Sequence, residues 1–394
     1  MTTPVDQVSA LAGAQGSADW PLMDNYGARS RTMVRGEGVY LFDAEGKQYL
    51  DFTAGIAVCA LGHSHPELAR AVAEQAHTLI HCSNLYLIPQ QVELARKLTA
   101  LSGLDKAFFC NSGAEANEAA IKLARRYAWS RGETKRTRIV SLPGGFHGRT
   151  LGALSITPKP AYQEGFHPLI PDCFTPESLS AVVDAIDERT AACVVEVIQG
   201  EGGVRPVPQD LLRDIAARCR EQGALLIVDE VQTGVGRTGT FFAFEQVGLK
   251  PDIVALAKGL AGGVPAGAVL ARAEIAQALT PGSHGSTFGG NPLAMAAGNV
   301  VVDIVRQPAF LAHVRQVGAY LASRLRPLVA ELTGAGLMWG FSVPDARAFV
   351  ARAAEAGVLL TAIGEHRVRM VPPLILEEAH VDEMVARLQR AGLL

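Results

Sequence analysis

The 394-residue chain has little of what marks several large classes of protein. It has no basic surplus: 36 lysines and arginines stand against 39 acidic residues, a formal net charge of −3. That balance gives no electrostatic reason to expect nucleic acid or an anionic membrane surface as a partner. It has no long apolar run either. Stretches such as Ala224 to Val228 fall far short of the roughly 20 apolar residues of a membrane-spanning helix. The opening MTTPVDQVSALAGAQGSADW lacks the basic start and apolar region of a secretory signal. The six cysteines, at 59, 82, 110, 173, 193 and 219, are scattered without a CxxC pair. They read as buried small hydrophobes in a reducing cytoplasm, not as a disulfide framework. Internal repeats and low-complexity segments are also absent.

What is present is ample core material. Apolar residues make up 48% and charged residues 19%, a globular composition, and the length suits a large domain with a smaller one beside it. The segment GVYLFDAEGKQYLDF predicts two short strands around a turn at Glu45-Gly46. HPELARAVAEQAHTLI predicts a helix opened by proline. Apolar strands are expected at 107–110, 138–142, 192–198, 225–229, 253–257 and 266–271, with helices at 114–130, 177–188 and 209–221 between some of them. That alternation implies crossover units and an α/β fold with a mostly parallel sheet. Further helices are expected at 293–305 and 308–332, and a strand in HRVRMVPPL. The expected organisation is a flexible extension at 1–20, a large domain at 61–294, and a smaller α+β domain built from 21–60 and 295–394.

Four segments bear on chemistry. In AFFCNSGAEANEAAIKLARR, a strand runs into Asn111-Ser112-Gly113 and then a helix, with Ser112 and Glu115 spaced as a capping box. Free amides at such a helix start form an anion site, although an ordinary capped helix reads the same way. In GALLIVDEVQTGVGRTG, Asp229 ends an apolar strand, where ligands of parallel sheets collect, and could pair with a cationic ring nitrogen. Gly234, Gly236 and Gly239 spell GxGxxG here. The acidic Asp229-Glu230 pair before them and the lack of a following helix exclude a dinucleotide site. In PDIVALAKGLAGGVPAGAVL, Lys258 follows another apolar strand. Desolvation would lower its pKa and free its amine as a nucleophile; a lysine snorkelling from a strand end is the plainer alternative. In HGSTFGGNPLA, Ser286, Thr287 and the following glycines offer hydroxyls and amides to phosphate oxygens. A phosphate cradle, a carboxylate for a ring nitrogen and a reactive lysine are together what pyridoxal 5′-phosphate requires of a protein.

These residues also carry a resemblance. NSGAEANEAAIKLAR, GGFHGRT, DEVQTGVGRTG, PDIVALAKGL and HGSTFGGNPLA resemble, in order and spacing, the signatures of the class III aminotransferases over roughly residues 26–376. VRGEGVYLFDAEGKQYLDFTAGIAVCALGHSHP and VIQGEGGV are most similar to the branch acting on acetylornithine. The resemblance implies a fold-type I, pyridoxal phosphate-dependent transferase, with residues 61–294 holding the cofactor. Lys258 would bind the cofactor aldehyde and shuttle a proton, and Asp229 would hold the pyridine nitrogen. Ser112, Gly113 and Ala114 would cradle the phosphate, Phe146 would stack on the ring, and Glu230, Val231 and Gln232 would complete the ring's surroundings, Gln232 at its hydroxyl. Thr287 would reach the phosphate from a second subunit of a homodimer. Arg149 and Ser286 would bind the amino donor, Arg369 would take the α-carboxylate of glutamate, Glu201 would mask that arginine in the other half-reaction, and Tyr26 would line the pocket.

The implied reaction is ping-pong transfer of the terminal amino group of N2-acetylornithine to 2-oxoglutarate, within arginine biosynthesis. Neighbouring readings are ornithine, 4-aminobutyrate, succinylornithine or carrier-bound aminoadipate-semialdehyde specificity, a mutase on the same fold, or a non-catalytic cofactor binder. The chain departs from the family pattern at ELTGAG, which lacks an arginine common in relatives, and at Trp339, where smaller residues are usual. His63 and His65 lack a third ligand of matching spacing and read as a turn before a helix. His147 reads as a supporting residue beside Phe146.

Overall fold

A computed structural model describes residues 20–27 and 31–394; nearly all of the expected 1–20 extension lies outside them. The molecule is organised around a seven-stranded sheet. In spatial order its strands are Lys106–Cys110, Gly267–Ala271, Ile253–Leu256, Leu225–Asp229, Thr190–Val195, Arg138–Ser141 and Cys173–Phe174. Leu225–Asp229 runs parallel to both its neighbours, and the parallel run continues to the Cys173–Phe174 edge. Gly267–Ala271 is antiparallel to the strands on either side of it, so the sheet is mostly parallel, as expected. The central strands are buried along their whole length, which explains why they read as unbroken apolar runs instead of alternating patterns. Each fully buried Val, Leu or Ile stabilises by about 1.5–3 kcal/mol.

Helix starts follow local chemistry. Proline opens the helices Pro66–Thr78, Pro89–Ser102, Pro292–Val305 and Pro308–Leu325, where its missing N–H costs nothing. Asn291 caps the third of these by accepting from the Ala294 amide at 2.9 Å. Two helix expectations are corrected. The helix expected at 308–332 stops at Leu325, because Pro327 has no N–H with which to carry the helical ladder on. The chain continues instead as the strand Ala330–Ala335, paired antiparallel with Met338–Ser342. The helix expected at 177–188 breaks into a 3-10 turn, Leu179–Ala181, and the short helix Val182–Ala185. Neither has a side-chain cap, and the chain turns at once through Asp187 and Thr190 into the next strand.

Two four-stranded sheets accompany this frame, besides the two-stranded pairing of Ile198–Gln199 with Arg205–Pro206. Tyr40–Asp43 and Gln48–Asp51 form the expected hairpin, extended by Met33–Glu37 on one side. On its other side, Gln48–Asp51 pairs in parallel with Val358–Leu359 from near the opposite chain end. The other sheet orders Ala330–Ala335, Met338–Ser342, Arg367–Met370 and Thr361–Ile363. It carries the strand expected in HRVRMVPPL. Among the described residues, no helix is long and apolar enough to cross a membrane.

Candidate active site

A cavity of about 430 Å³ opens at the carboxyl ends of the central strands, as the crossover topology dictates. Its lining includes Ser112, Gly113, Ala114, Phe146, Arg149, Glu201, Asp229, Val231, Gln232 and Lys258. Residues scattered over about 150 positions of sequence therefore meet because their strands are neighbours.

One wall is the start of the helix Gly113–Ser130. The Ser112 hydroxyl accepts from the Glu115 amide at 3.2 Å. The reciprocal bond goes one residue earlier than a strict capping box, from the Asn111 amide to Glu115 Oε2 at 2.6 Å. The Gly113 and Ala114 amides come ahead of the first helical acceptors and border the cavity. A Cβ on Gly113 would stand 2.6 Å from Val231 Cγ1. The absence of a side chain lets the helix start close against the Asp229 strand end.

Asp229 is 3% exposed and held from three sides. Its Oδ2 lies 2.7 Å from His147 Nδ1 and accepts from Asn117 Nδ2 at 2.8 Å. Its Oδ1 accepts from the Val231 amide at 2.9 Å. Burial opposes protonation of His147, yet the Asp229 hydrogen bond and charge outweigh it and raise the imidazole pKa. Asn117 and Glu196 escaped the sequence reading. Glu196 accepts from the Phe146 and Gly200 amides at 3.0 and 3.2 Å. Burial, with Asp229 adding to it, pushes its carboxyl up to about 7. It ends the apolar stretch VVE just as Asp229 ends LLIVD, and that parallel was the available signal.

Lys258 begins a 3-10 turn directly after the Ile253–Leu256 strand region, with φ of +41°. A left-handed lysine stores about 1–3 kcal/mol of strain, a feature concentrated at functional sites. Burial, then the nearby Arg369 charge, lowers its amine to about 8. Arg369 is buried and donates from Nη1 to Glu201 Oε1 at 2.5 Å and to Gln232 Oε1 at 3.2 Å. Burial alone would raise the Glu201 carboxyl, but the Arg369 charge and hydrogen bond hold it below its usual range. The main chain around Glu201 is anchored too. Lys159 Nζ donates to the Glu201 carbonyl at 2.6 Å, and Arg367 donates to the Gly203 carbonyl at 3.0 and 2.8 Å.

Other expected residues lie elsewhere. The Glu230 side chain points away from the cavity, accepting from Thr233 Oγ1 at 2.6 Å and the Phe244 amide at 2.8 Å; strand alternation sends it opposite to Asp229. Ser286 Oγ stays near by accepting from Asn111 Nδ2 at 3.2 Å. Thr287 and Tyr26 are exposed and do not line the cavity. The GxGxxG stretch is a loop of turns followed only by the four-residue helix Phe244–Val247, so it makes no dinucleotide cradle. His63 does more than turn the chain: its Nε2 lies 2.8 Å from Asp51 Oδ2. Among the described residues no cluster of three or more His, Cys, Asp or Glu is arranged for a metal.

The class-III aminotransferase family model matches residues 24–391. The chain belongs to the class III aminotransferases. It is 48% identical over 373 residues to the acetylornithine aminotransferase of Aquifex aeolicus, covering 93% of this chain and 98% of that one. Among solved structures, it is similar to the N-acetylornithine aminotransferase of Stenotrophomonas maltophilia, with 34% identity, TM-score 0.79, and 94% and 97% of the two chains covered. It also resembles the ornithine aminotransferase of Toxoplasma gondii, described with partial occupancy of PLP at its active site, with 31% identity, TM-score 0.90, and 98% and 93% covered. This class III aminotransferase is accordingly a fold-type I enzyme that uses pyridoxal 5′-phosphate. The cavity fits that cofactor. It offers a glycine-lined helix start for an anion, a rigidly held carboxylate and a buried lysine amine. His147 Nε2 and Asn117 Oδ1, of two residues that line it, are buried without hydrogen-bond partners among the described residues, as is Arg369 Nε just beyond the lining.

Proposed function

We propose that this aminotransferase moves the terminal amino group of N2-acetyl-L-ornithine to 2-oxoglutarate, giving N-acetylglutamate 5-semialdehyde and L-glutamate, in arginine biosynthesis. The names of the relatives support the donor. The observation that carries the reading is the contrast between two arginines. Arg149 borders the cavity with no hydrogen bond or ion pair among the described residues, whereas Arg369 is covered by Glu201. The reacting carbon of the donor bears no carboxylate, so a bare cation beside Lys258 would be left unpaired; Glu201 supplies the missing charge. The reacting carbon of 2-oxoglutarate has a carboxylate next to it, and Arg369 would take it once Glu201 yields. The guanidinium fork of Arg149 suits the distant carboxylate of the donor.

In this reading Lys258 would hold the cofactor and move the proton at the substrate's reacting carbon. When bound, the cofactor would supply an aldehyde and a ring that accepts electrons from that carbon. Asp229, fixed by Asn117, His147 and the Val231 amide, would favour the protonated form of the ring nitrogen. Ser112, Gly113 and Ala114 would hold the phosphate through the helix start. Phe146, Val231 and Gln232 would surround the ring, and Ser286 would support the substrate end.

The same reading extends to assembly. Thr287 and Phe288 stand exposed with Leu85, Tyr86 and Leu87, the last 93% exposed. Such a surface suits a homodimer in which Thr287 reaches the partner's phosphate site and Tyr26 the pocket. Residues 61–294 would be the cofactor domain, with 21–60 and 295–394 forming the smaller one; the pairing of Gln48–Asp51 with Val358–Leu359 supports that division. The six free cysteines suit a reducing cytoplasm.

Absorbance-monitored titration of the holoenzyme tests the proposal. Acetylornithine should bleach the cofactor band faster than ornithine, 4-aminobutyrate or succinylornithine, and 2-oxoglutarate should restore it. Acetylornithine ranking among the poorest donors refutes the substrate assignment.

A further inference from the structure

The face of Arg149 is occupied although its hydrogen-bonding edges are not. Its guanidinium carbon lies 3.6 Å from the centroid of the Tyr162 ring and 5.7 Å from that of Phe146. The two rings meet edge to face at 6.2 Å and 89°. Tyr162 belongs to the short helix Pro160–Gln163. That helix is fastened by Gln163 Nε2, which donates to the Leu154 and Thr157 carbonyls at 3.1 and 3.0 Å. Its entry is fastened by Lys159, which reaches across to the Glu201 carbonyl. The Tyr162 hydroxyl makes no hydrogen bond among the described residues, so the ring alone is engaged, by Arg149, by Phe146 and by Lys159 Nζ at 5.2 Å from its centroid.

We propose that Tyr162 is a positioning residue for donor specificity: its ring holds the Arg149 guanidinium by one face and leaves the N–H edges open, so that a fork of two donors is free for a substrate carboxylate. This rests on the reading of Arg149 as the donor's carboxylate site. The physical basis is twofold. A guanidinium over an aromatic face is attracted by the ring quadrupole. A long side chain already held in one arrangement loses less rotamer freedom when the carboxylate binds. Because Tyr162 also buttresses Phe146 edge-on, one ring sets the carboxylate anchor at a fixed offset from the residue expected to cover the cofactor.

The test uses holoenzyme and two donors that differ only at the anchored group, N2-acetylornithine and its carboxamide. Pre-steady-state absorbance gives the apparent affinity and rate for each. Wild type should prefer the acid. Tyr162→Leu should shrink that preference about tenfold through weaker binding of the acid, with the limiting rate and the amide little changed. Tyr162→Phe should restore the preference, since it keeps the ring. A merely structural role would depress both donors alike and leave their ratio intact. If Tyr162→Leu keeps the full preference while Arg149→Met loses it, the clamp is refuted and Arg149 keeps its role. If Arg149→Met also keeps the preference, the carboxylate assignment falls and the clamp with it.

Discussion

Replacing Glu201 by Gln should convert a selective cavity into one biased toward dicarboxylates. Glu201 and Arg369 share a charge-assisted contact at 2.5 Å, with Arg369 buried. Glutamine keeps a hydrogen bond to the charged guanidinium but loses the ion-pair attraction, and close, largely buried charge pairs couple by about 1.5 kcal/mol at the low end. The substitution therefore weakens the cover over Arg369 by about 1–2 kcal/mol. Glutamate, which must displace that cover, should gain about fivefold to thirtyfold in kcat/KM relative to acetylornithine. Acetylornithine should lose, because its reacting carbon then faces an uncompensated cation. The same variant carries a second readout. Glu201 is one of the charges that raise the Lys258 amine, against the burial and Arg369 that bring it down to about 8. Removing that charge lowers the amine further. Only the neutral amine attacks an aldehyde, so apoenzyme should recapture pyridoxal phosphate with a pH midpoint below that of wild type. Stopped-flow half-reactions with each substrate, and reconstitution rates across pH, measure both effects. A glutamate-to-acetylornithine ratio within twofold of wild type would sink the idea that Glu201 covers Arg369.

Other outcomes follow from the same geometry. Lys258→Ala should abolish multiple turnover while circular dichroism stays unchanged, and borohydride-trapped cofactor in wild type should map to residue 258; sustained turnover by the variant removes that lysine from the reaction. Gly113→Ala puts a methyl 2.6 Å from Val231 Cγ1, an overpacking of about 1–3 kcal/mol. Its cofactor dissociation constant should rise at least about fivefold, with recovery in Gly113→Ala/Val231→Ala; unchanged cofactor retention contradicts the close approach. Glu230 is raised from 4.5 to about 7, chiefly by burial. A folded-state pKa above the unfolded one gives stability that is complete below about 4.5 and lost as pH rises through about 7. Glu230→Gln should therefore gain in melting temperature over wild type between pH 5 and 8, with a ceiling of about 3 kcal/mol. A difference that does not vary with pH would be inconsistent with that burial.

The parts of the site that were legible in sequence are those written into local runs. An apolar strand ending in Asp229, another leading to Lys258, and a Ser112–Glu115 helix start each announce themselves within a few residues. Glu201 and Arg369 became legible through the family likeness, and their contact needed the fold, because 168 positions separate them. Asn117 was hidden: on an alanine-rich helix it looks like any polar residue, and only the packing of that helix across the sheet brings its amide to Asp229. Tyr162 and Lys159 were hidden for the same reason: they sit on and beside a four-residue helix too short to read from sequence, and apart from one another their side-chain partners lie in other segments. Glu230 was expected at the cavity through the family likeness, and the alternation of side chains along an extended chain turns it away from Asp229's side. Pro327 could have ended the helix at Leu325 from sequence alone.

The two fastenings at and just after Glu201 limit how it can move. With its own carbonyl gripped by Lys159 and the Gly203 carbonyl gripped by Arg367, the peptide there behaves like an axle in fixed bearings. Displacing the carboxylate is then a swing about Cα–Cβ and Cβ–Cγ, with no loop to unfold and refold. Alternating between the two substrates costs the enzyme a rotamer change, a faster class of motion than the travel of a lid.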